Sequence, residues 1–252
     1  MRFASLGSGS RGNGTLVQSG STTLLIDCGF SVKVTEQRMQ ALGVAPEQVN
    51  AVLVTHEHSD HCTGVAALSR KYQIPVYLTR GTEASGRLEG CYQQHFFHSN
   101  AGFQIGDIEV EPVAVPHDAR EPCQFLLQSA SRRLGILTDL GSVSPAVVTH
   151  YRGCDALLLE FNHDEAMLRD GPYPPPLKRR VGGDWGHLNN HQAANLLSEL
   201  HHRRLQHLVI AHISEKNNQQ QRVEAALRQV LDSLEIVVWA EQDTGFDWLQ
   251  LQ

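Results

Sequence analysis

The sequence predicts an α/β protein in which layered β-sheets are covered by helices. Short apolar runs rich in β-branched residues recur along the chain, which is typical of strands. Helical patterns lie between the later runs. With 252 residues, 41% of them hydrophobic and 19% charged, the chain is able to bury a sizeable core. This composition excludes a disordered or collagen-like chain.

The individual elements follow from these patterns. Strands are predicted at residues 2–6, 15–18, 22–27, 51–55, 75–78, 108–115, 124–128, 134–138, 156–161, 207–213 and 235–240. Gly/Ser turns separate the early strands and predict a meander of hairpins. Helices are predicted at residues 32–42, 63–72, 189–203 and 219–231, with Asn217 and Asn218 as caps of the last. The Pro/Gly-rich residues 171–186 are interpreted as a long loop over a site, and residues 1–252 as one domain.

Charge and cysteine content limit the protein class and compartment. Lys and Arg number 21 against 27 Asp and Glu, a net charge of −6, whereas proteins that hold long duplexes by neutralising phosphates are usually basic. The first residues lack a secretory apolar stretch, and no run approaches the ~18 apolar residues of a membrane span. The five cysteines form no Cys-x-x-Cys pair, so reduced and mostly buried thiols are expected. We expect a cytoplasmic protein without membrane contact.

A glycine-rich segment follows the first predicted strand. Residues 7–12 spell Gly-x-Gly-x-x-Gly, but the dinucleotide-binding motif of this form must open a helix. Here Asn13, Gly14 and another strand follow, so the segment predicts a tight glycine turn. Exposed backbone N–H groups of this turn could hold an anion near a site, so Ser8 and Asn13 are candidate substrate contacts.

The most informative segment follows the apolar run 51–55. Three histidines and one aspartate occur within six positions, namely His56, His58, Asp60 and His61. Alternation places His56 and His58 on one side where the strand ends, and Asp60 and His61 fall in the turn before the next helix. Imidazole and carboxylate groups packed this closely are poor core residues and suit two divalent ions. A polar loop with coincidental histidines is the disfavoured alternative.

One such loop cannot complete two coordination shells, so further ligands are expected where later strands end. His117, Asp139 and His212 each follow a predicted strand and are the three candidates. A carboxylate can bridge two ions whereas an imidazole cannot, so Asp139 is the natural shared ligand. Zinc is the default metal, and manganese or iron tolerates the same donors.

This set of residues resembles the metallo-β-lactamase fold superfamily, whose signature is His-x-His-x-Asp-His followed by distant His, Asp and His. Over essentially the whole chain, the similarity is greatest to the YycJ/WalJ-like bacterial metallohydrolases, through residues 8–13, 55–61, 117–119, 138–141, 160–164, 186–190 and 212–214. The resemblance implies an αββα sandwich, two mixed β-sheets flanked by helices, with a dinuclear site at one edge. It implies that one ion is held by His56, His58 and His117, the other by Asp60, His61 and His212, with Asp139 between them.

The resemblance also narrows the reaction. β-Lactamases of this fold usually lack the last His of the first motif, so His61 favours the phosphodiesterase branch. The spacing between Asp139 and His212 excludes the large cap inserted there in some nucleases. Gly186-His187-Leu188 resembles an element of tRNA 3′-processing and cyclic-phosphodiesterase relatives, whose His stabilises or protonates the leaving oxygen. A capping or buried histidine at a helix start is the alternative for His187.

Four further residues are candidate substrate contacts. His163 is a contact or a partner of the metal ligands, with a plain loop residue as the alternative. Lys178, Arg179 and Arg180 could bind phosphate, although a solvated charge run would also explain them.

A metal-dependent phosphodiesterase acting on nucleic acid, a DNA exonuclease as in the similar proteins, is the leading expectation. In that mechanism a metal-bridging hydroxide attacks phosphorus, Asp60 and Asp139 hold the metals, and His187 donates a proton to the leaving oxygen. A small-molecule phosphodiesterase or a glyoxalase II-type thioesterase is the alternative. A non-catalytic metal-binding module would require a broken ligand set, and none of the ligands is missing.

Overall fold

The computed structural model describes residues 1–99, 101–200 and 202–252. The strands within these residues are β1 (Arg2–Gly7), β2 (Gly14–Ser19), β3 (Thr22–Ile26), β4 (Ala51–Leu53), β5 (Pro75–Leu78), β6 (Gln93–Phe96), β7 (Phe103–Ile105), β8 (Ile108–Ala114), β9 (Cys123–Ser129), β10 (Arg132–Leu137), β11 (Ala156–Glu160), β12 (His207–Ala211), β13 (Val237–Trp239) and β14 (Phe246–Gln250). The α-helices are α1 (Val32–Ala41), α2 (Ser59–Cys62), α3 (Val65–Tyr72), α4 (Arg80–Glu83), α5 (Pro145–Tyr151), α6 (Glu165–Asp170), α7 (Pro175–Val181), α8 (Asn190–Glu199) and α9 (Gln220–Leu227). Short 3-10 helices occur at Pro46–Gln48 and His202–Arg204.

The strands form two seven-stranded mixed sheets with the same internal plan. Sheet one has the order β14-β1-β2-β3-β4-β5-β6, and sheet two has the order β13-β12-β11-β10-β9-β8-β7. In sheet one, β14 through β3 pair antiparallel and β3 through β6 pair parallel. In sheet two, β7 through β10 pair antiparallel and β10 through β13 pair parallel. The predicted hairpin meander of β1, β2 and β3 is confirmed.

The two sheets pack face to face, and helices cover their outer faces. In β3, Leu24 belongs to the central cluster between the sheets, while Leu25 packs outward beneath α1 and α3. In β11, Leu158 belongs to the central cluster, while Leu157 packs outward beneath α5, α8 and α9. Because successive side chains of a strand point to opposite faces, these strands need apolar residues throughout. The predicted αββα sandwich of two mixed sheets flanked by helices is confirmed.

Three of the four edge strands among the described residues were not predicted from the sequence; the fourth, β13, lies within the predicted strand 235–240. β6 and β14 are the outer strands of sheet one, and β7 is an outer strand of sheet two. An edge strand has one neighbour and keeps polar residues such as Gln93 and Gln94 of β6, so its apolar pattern is weak. The predicted strand 51–55 is also too long, because β4 ends at Leu53.

The interpretation of residues 171–186 as a loop is wrong in part, because the segment contains helix α7. Pro174 is the residue before this helix, and Pro175 and Pro176 lie in its first turn. Proline is tolerated there because the first N–H groups of a helix have no partner inside the helix. The prolines therefore start a helix that the sequence analysis interpreted as irregular chain.

Several predicted helix ends also differ from the structure: the helix predicted over 63–72 begins at Val65, and the helix predicted over 219–231 ends at Leu227. The helix predicted over 189–203 ends at Glu199, and residue 201 lies outside the described residues. Asn217 and Asn218 do not cap α9, whose preceding residue is Gln219. Asn218 is buried instead and exchanges amide hydrogen bonds of 2.8 and 2.9 Å with Asn190.

The cysteines are free, as predicted, and four of the five are buried. Burial raises the pKa of the Cys28 and Cys62 thiols to about 11, so both stay protonated at neutral pH. Within the described part of the chain, no helix has the length and apolarity needed to cross a bilayer.

Candidate metal centre

Seven His and Asp side chains converge at one edge of the sandwich, in the segments that follow β4, β8, β10 and β12. They are His56, His58, Asp60, His61, His117, Asp139 and His212. Asp139 and His212 follow their strands with positive φ angles of 55° and 51°. A left-handed backbone is uncommon for residues other than glycine, and it is concentrated at functional sites.

Two groups of three ligating side chains stand side by side. In the first, the ring of His56 lies 4.5 Å from that of His58 and 5.0 Å from that of His117, centre to centre. In the second, Asp60 Oδ2 lies 3.5 Å from both His61 Nε2 and His212 Nε2. Within each group the ligating atoms lie within 4.8 Å of one another, which is close enough to share one ion.

Asp139 lies between the two groups and is only 2% exposed. Its Oδ2 is 2.9 Å from His61 Nε2, and its Oδ1 is 3.8 Å from His117 Nε2. Its Oδ1 is also 3.5 Å from His212 Nδ1. One carboxylate thus contacts both groups.

Several of these ligating atoms are buried without a hydrogen bond. Within the described residues, His56 Nε2 and both ring nitrogens of His212 have no hydrogen-bond partner. Leaving one buried polar atom unsatisfied costs about 1–3 kcal/mol, so several at one point require an explanation. Divalent cations supply it, because imidazole nitrogen and carboxylate oxygen are the donors that zinc, manganese and iron accept. The residues present fit divalent metal ions.

Asp27 orients His61 and was missed by the sequence analysis as a site residue. Asp27 Oδ2 lies 2.8 Å from His61 Nδ1, and Asp27 accepts hydrogen bonds from the Thr55 backbone and hydroxyl. With Nδ1 held in this way, the Nε2 of His61 is directed to the centre. Asp27 follows β3 and precedes Cys28-Gly29, just as Asp139 follows β10 and precedes Leu140-Gly141. This repeated Asp-x-Gly after a strand was the available signal.

Glu160, at the end of β11, is the second missed residue. It is fully buried and accepts hydrogen bonds from the backbone N–H groups of Leu140, Leu188 and Asp139, at 2.7, 3.1 and 3.2 Å. Its Oε2 also lies 3.1 Å from His187 Nδ1. Glu160 lies within ligating distance of His187 and His212, but these hydrogen bonds already use its oxygens. Burial alone would raise the pKa of Glu160, yet the hydrogen bond with His187 lowers it to about 2.

Opposing effects also act on the histidines of the centre. Burial disfavours charged His61, but Asp139, Asp27 and Asp60 outweigh burial and raise its pKa well above the usual value. Burial also opposes charge on His212, and Asp139 and Asp60 raise its pKa to about 10. His56 has no such support, so burial and repulsion from His61 lower its pKa.

Metal affinity is expected to rise with pH, because protons and cations compete for His61 and His212. The raised pKa values keep both imidazoles protonated at neutral pH until a cation displaces the proton. Below those pKa values, the apparent Kd should fall about tenfold per pH unit for each displaced proton. Competition titrations of zinc against a chelating indicator at pH 6, 7 and 8 measure this slope, and a flat profile would contradict the expectation.

A cleft of about 410 Å³ opens onto the centre. Its lining includes Asp60, Asp139, His187 and His212, together with two arginines, Arg87 and Arg180. Arg180 bonds Asp118, another lining residue. Arg87, from the segment after α4, was not predicted, since a single exposed arginine in a loop carries no pattern. The arginines bring positive charge to a cleft whose floor is rich in histidine and carboxylate groups.

Of the predicted substrate contacts, only Arg180 is among the lining residues of this cleft. The Lys178 ammonium donates to the carbonyl of Arg169, and Arg179 is exposed to solvent. His163 is buried, with Nδ1 3.3 Å from Asn162 Oδ1, and burial lowers its pKa to about 4.

Ser8 and Asn13 are buried behind the ligands instead of facing the cleft. The Ser8 hydroxyl accepts a 2.9 Å hydrogen bond from the His212 backbone, and Asn13 Nδ2 lies 3.1 Å from His61 Nε2. The prediction that this turn offers free backbone N–H groups to an anion is wrong at five of its positions. The N–H groups of residues 8, 9, 11, 12 and 13 donate hydrogen bonds to protein acceptors. The turn therefore positions candidate ligand residues.

An αββα sandwich with a His/Asp cluster at one edge defines the metallo-β-lactamase fold class. The family model described as "Beta-lactamase superfamily domain" matches residues 22–213, and the chain belongs to this superfamily. The structure is similar to that of YhfI from Bacillus subtilis, a metallo-β-lactamase fold protein, with a TM-score of 0.76 and 18% identity over 98% of each chain.

Two curated relatives are similar over most of their length. The chain is 38% identical to "Exodeoxyribonuclease YycJ" of Bacillus anthracis, which covers 92% of this chain and 89% of the relative. It is 33% identical to "Exodeoxyribonuclease WalJ" of Streptococcus pneumoniae, over 86% of this chain and 83% of the relative. These matches confirm the similarity to YycJ/WalJ-like proteins that the motifs predicted.

Proposed function

We propose that this protein is a metal-dependent phosphodiesterase that acts on nucleic acid, a DNA exonuclease like its relatives YycJ and WalJ. The main support for this proposal is the convergence of seven His and Asp side chains, His61 included. Several of their buried ligating atoms lack a hydrogen bond within the described residues. A phosphodiester needs such a centre because negative charge grows on its oxygens during hydrolysis.

The two groups of side chains support the ligand assignment. His56, His58 and His117 would hold one ion, and Asp60, His61 and His212 a second. Asp139 would be shared, since its carboxylate contacts both groups. Zinc is the default, and manganese or iron would suit the same donors. When bound, such ions activate water and offset charge on the phosphoryl oxygens.

His187 would supply the proton to the leaving oxygen. Its Nδ1 lies 3.1 Å from the buried Glu160 carboxylate, which fixes the orientation of the ring. Its Nε2 has no hydrogen-bond partner among the described residues, and the side chain lines the cleft. With Nδ1 bonded to Glu160 and Nε2 available to the substrate, His187 meets the geometric requirement for a general acid.

Arg180 would bind a substrate phosphate, so replacing it by Ala should raise KM for DNA. The guanidinium lines the cleft and is exposed enough to exchange Asp118 for a phosphate. We expect a KM increase of about three- to tenfold that shrinks with added salt, with kcat changed less. Arg222→Ala removes the same charge from the exposed surface of α9 and is the matched control. Equal KM values for the two variants would contradict this role.

The direct test uses end-labelled single-stranded DNA, duplex DNA and RNA with protein loaded with zinc or manganese. Shortening of DNA from one end, lost on adding a chelator, is expected. Absence of cleavage with every metal would overturn the proposal.

A small-molecule phosphodiesterase is the second candidate, because the cleft volume suits a small ligand and the net charge is −6. Efficient turnover of bis-p-nitrophenyl phosphate without DNA cleavage would favour it. Turnover of a lactoyl-glutathione-like thioester would instead indicate a glyoxalase II-type reaction.

We further infer one domain over residues 1–252 and a cytoplasmic location. The central apolar cluster joins strands of both sheets, from Phe3 of β1 to Phe125 of β9, which supports one cooperative unit. The free cysteines support a reducing compartment.

A further inference from the structure

An arginine cluster lies at the edge of the sandwich opposite the metal centre. Its members are Arg132, Arg133, Arg152, Arg203 and Arg204. The first two start β10, the third follows α5, and the last two precede β12 in a 3-10 helix. The candidate ligands Asp139 and His212 follow the other ends of β10 and β12, which both pair parallel with β11. The arginine cluster and the metal centre therefore occupy opposite ends of the same strands.

One buried carboxylate holds part of the arginine cluster together. Asp155 is 2% exposed, and its Oδ1 lies 3.1 Å from Arg204 Nη2 and 3.7 Å from Arg132 Nη1. Its Oδ2 accepts a 2.8 Å hydrogen bond from the backbone N–H of Arg133. The Arg133 guanidinium donates to two carbonyl groups at the end of α5, at 2.9 and 3.0 Å. Three of the five side chains are thus fixed by the fold.

The arginine cluster carries more positive charge than its surroundings neutralise. Within the described residues, Asp155 is the only carboxylate that forms an ion pair with any of the five arginines. Nearby Glu111 pairs with His150 instead. The guanidinium groups of Arg152 and Arg203 are exposed and have no hydrogen-bond or ion-pair partner in the described part of the chain. A surplus of four positive charges on a protein of net charge −6 indicates a site for a polyanion.

The position of the arginine cluster argues against the phosphates of a duplex bound in the cleft. The six residues of β10 separate the cluster from Asp139, a length of about 20 Å at the usual rise per strand residue. Duplex DNA has a persistence length of about 500 Å, so a duplex that ends in the cleft cannot bend around to the opposite edge. An anionic protein segment is not limited in this way.

We propose that the arginine cluster is a docking site for an acidic segment of a partner protein, a run of Asp and Glu residues. Carboxylates pair with two N–H groups of a guanidinium at once, and Arg152 and Arg203 offer such groups without a competing partner. Arginine clusters are a recurring means of recognising acidic motifs. Because three of the arginines are already held in place, docking costs less ordering of side chains. The cleft stays open, so this inference does not depend on the reaction proposed above.

The test measures binding of a fluorescein-labelled peptide of ten glutamates to the metal-loaded protein by fluorescence anisotropy, in about 50 mM salt. Replacing Arg152 and Arg203 together by Ala should raise Kd about tenfold, because the two unpaired cations are lost. The difference should shrink as salt is added. Both side chains are exposed and bond nothing in the described structure, so the double variant should fold like the parent.

The matched control replaces Arg222 and Arg228 by Ala. Both are exposed at or just after α9, and their loss changes the net charge by the same amount. The Kd of this control should stay within about twofold of the parent value. Equal Kd values for the two double variants, or no binding of the peptide at about 1 mM protein, would overturn the inference.

Two further measurements separate the other possible occupants. Binding of a phosphorothioate duplex, which resists hydrolysis, should be equal in the two double variants. A weaker duplex affinity in the Arg152/Arg203 variant alone would overturn the inference and assign the arginine cluster to nucleic acid. A lower mass of that variant in light scattering would also overturn it and identify a second copy of the chain as the occupant. Absence of DNA hydrolysis would overturn the proposed function and leave the peptide result unaffected.

Discussion

Replacing Asp139 by Asn should lower DNA hydrolysis by at least about 10³-fold and reduce the bound metal. The carboxylate contacts both groups of candidate ligands, so its charge would offset the repulsion between two neighbouring cations. Asn preserves the side-chain volume and tolerates the left-handed backbone at this position, where φ is 55°. The loss of activity in Asp139→Asn would then result from the missing negative charge and not from backbone strain.

The measurements are kcat/KM on labelled DNA and metal stoichiometry by atomic emission. Asp232→Asn, which removes the same charge from an exposed position, serves as the control. A fully metal-loaded Asp139→Asn protein with parental turnover would show that the shared-ligand assignment is incorrect.

The second large effect is expected for His187→Ala, with kcat on DNA lowered about 10²–10⁴-fold. The reason is loss of the proton donor held by Glu160, so the effect should depend on the leaving group. p-Nitrophenolate departs without a proton, so hydrolysis of bis-p-nitrophenyl phosphate should suffer much less. Added imidazole should restore part of the DNA hydrolysis.

Metal content separates the possible roles of His187. Its ring also lies within ligating distance of His117 and Asp139, so a ligand role predicts metal loss on His187→Ala. Donation to the leaving oxygen predicts full metal content with slow turnover. His191→Ala, on the exposed face of α8, controls for the loss of an imidazole.

Much of the centre could be predicted from the sequence, because His56, His58, Asp60 and His61 lie within six consecutive positions. His117, Asp139 and His212 were accessible because each follows an apolar run. Their use as ligands remains a proposal, but the structure brings all seven together.

The missed residues act through contacts between distant segments. Asp27 reaches His61 because β3 and β4 pair parallel and end together, and no local pattern records that pairing. Glu160 likewise accepts hydrogen bonds from the backbone N–H groups of residues 139, 140 and 188, which are distant from it in sequence. Helix α7 was missed because three consecutive prolines were interpreted as a loop signal, although two of them lie in the first turn of the helix, where proline is tolerated.

The unsatisfied lone pairs at the centre also tie the abundance of this protein to metal supply. A cation that binds only the folded chain stabilises it by about 2.7 kcal/mol at a hundredfold excess over Kd. Scarcity of the metal would thus lower the folded fraction of the protein as well as its turnover. The reason is that, without a cation, the folded protein still bears the cost of burying these unpaired polar atoms. The supply of divalent metal would set how much of the protein survives proteolysis, before any effect on its rate.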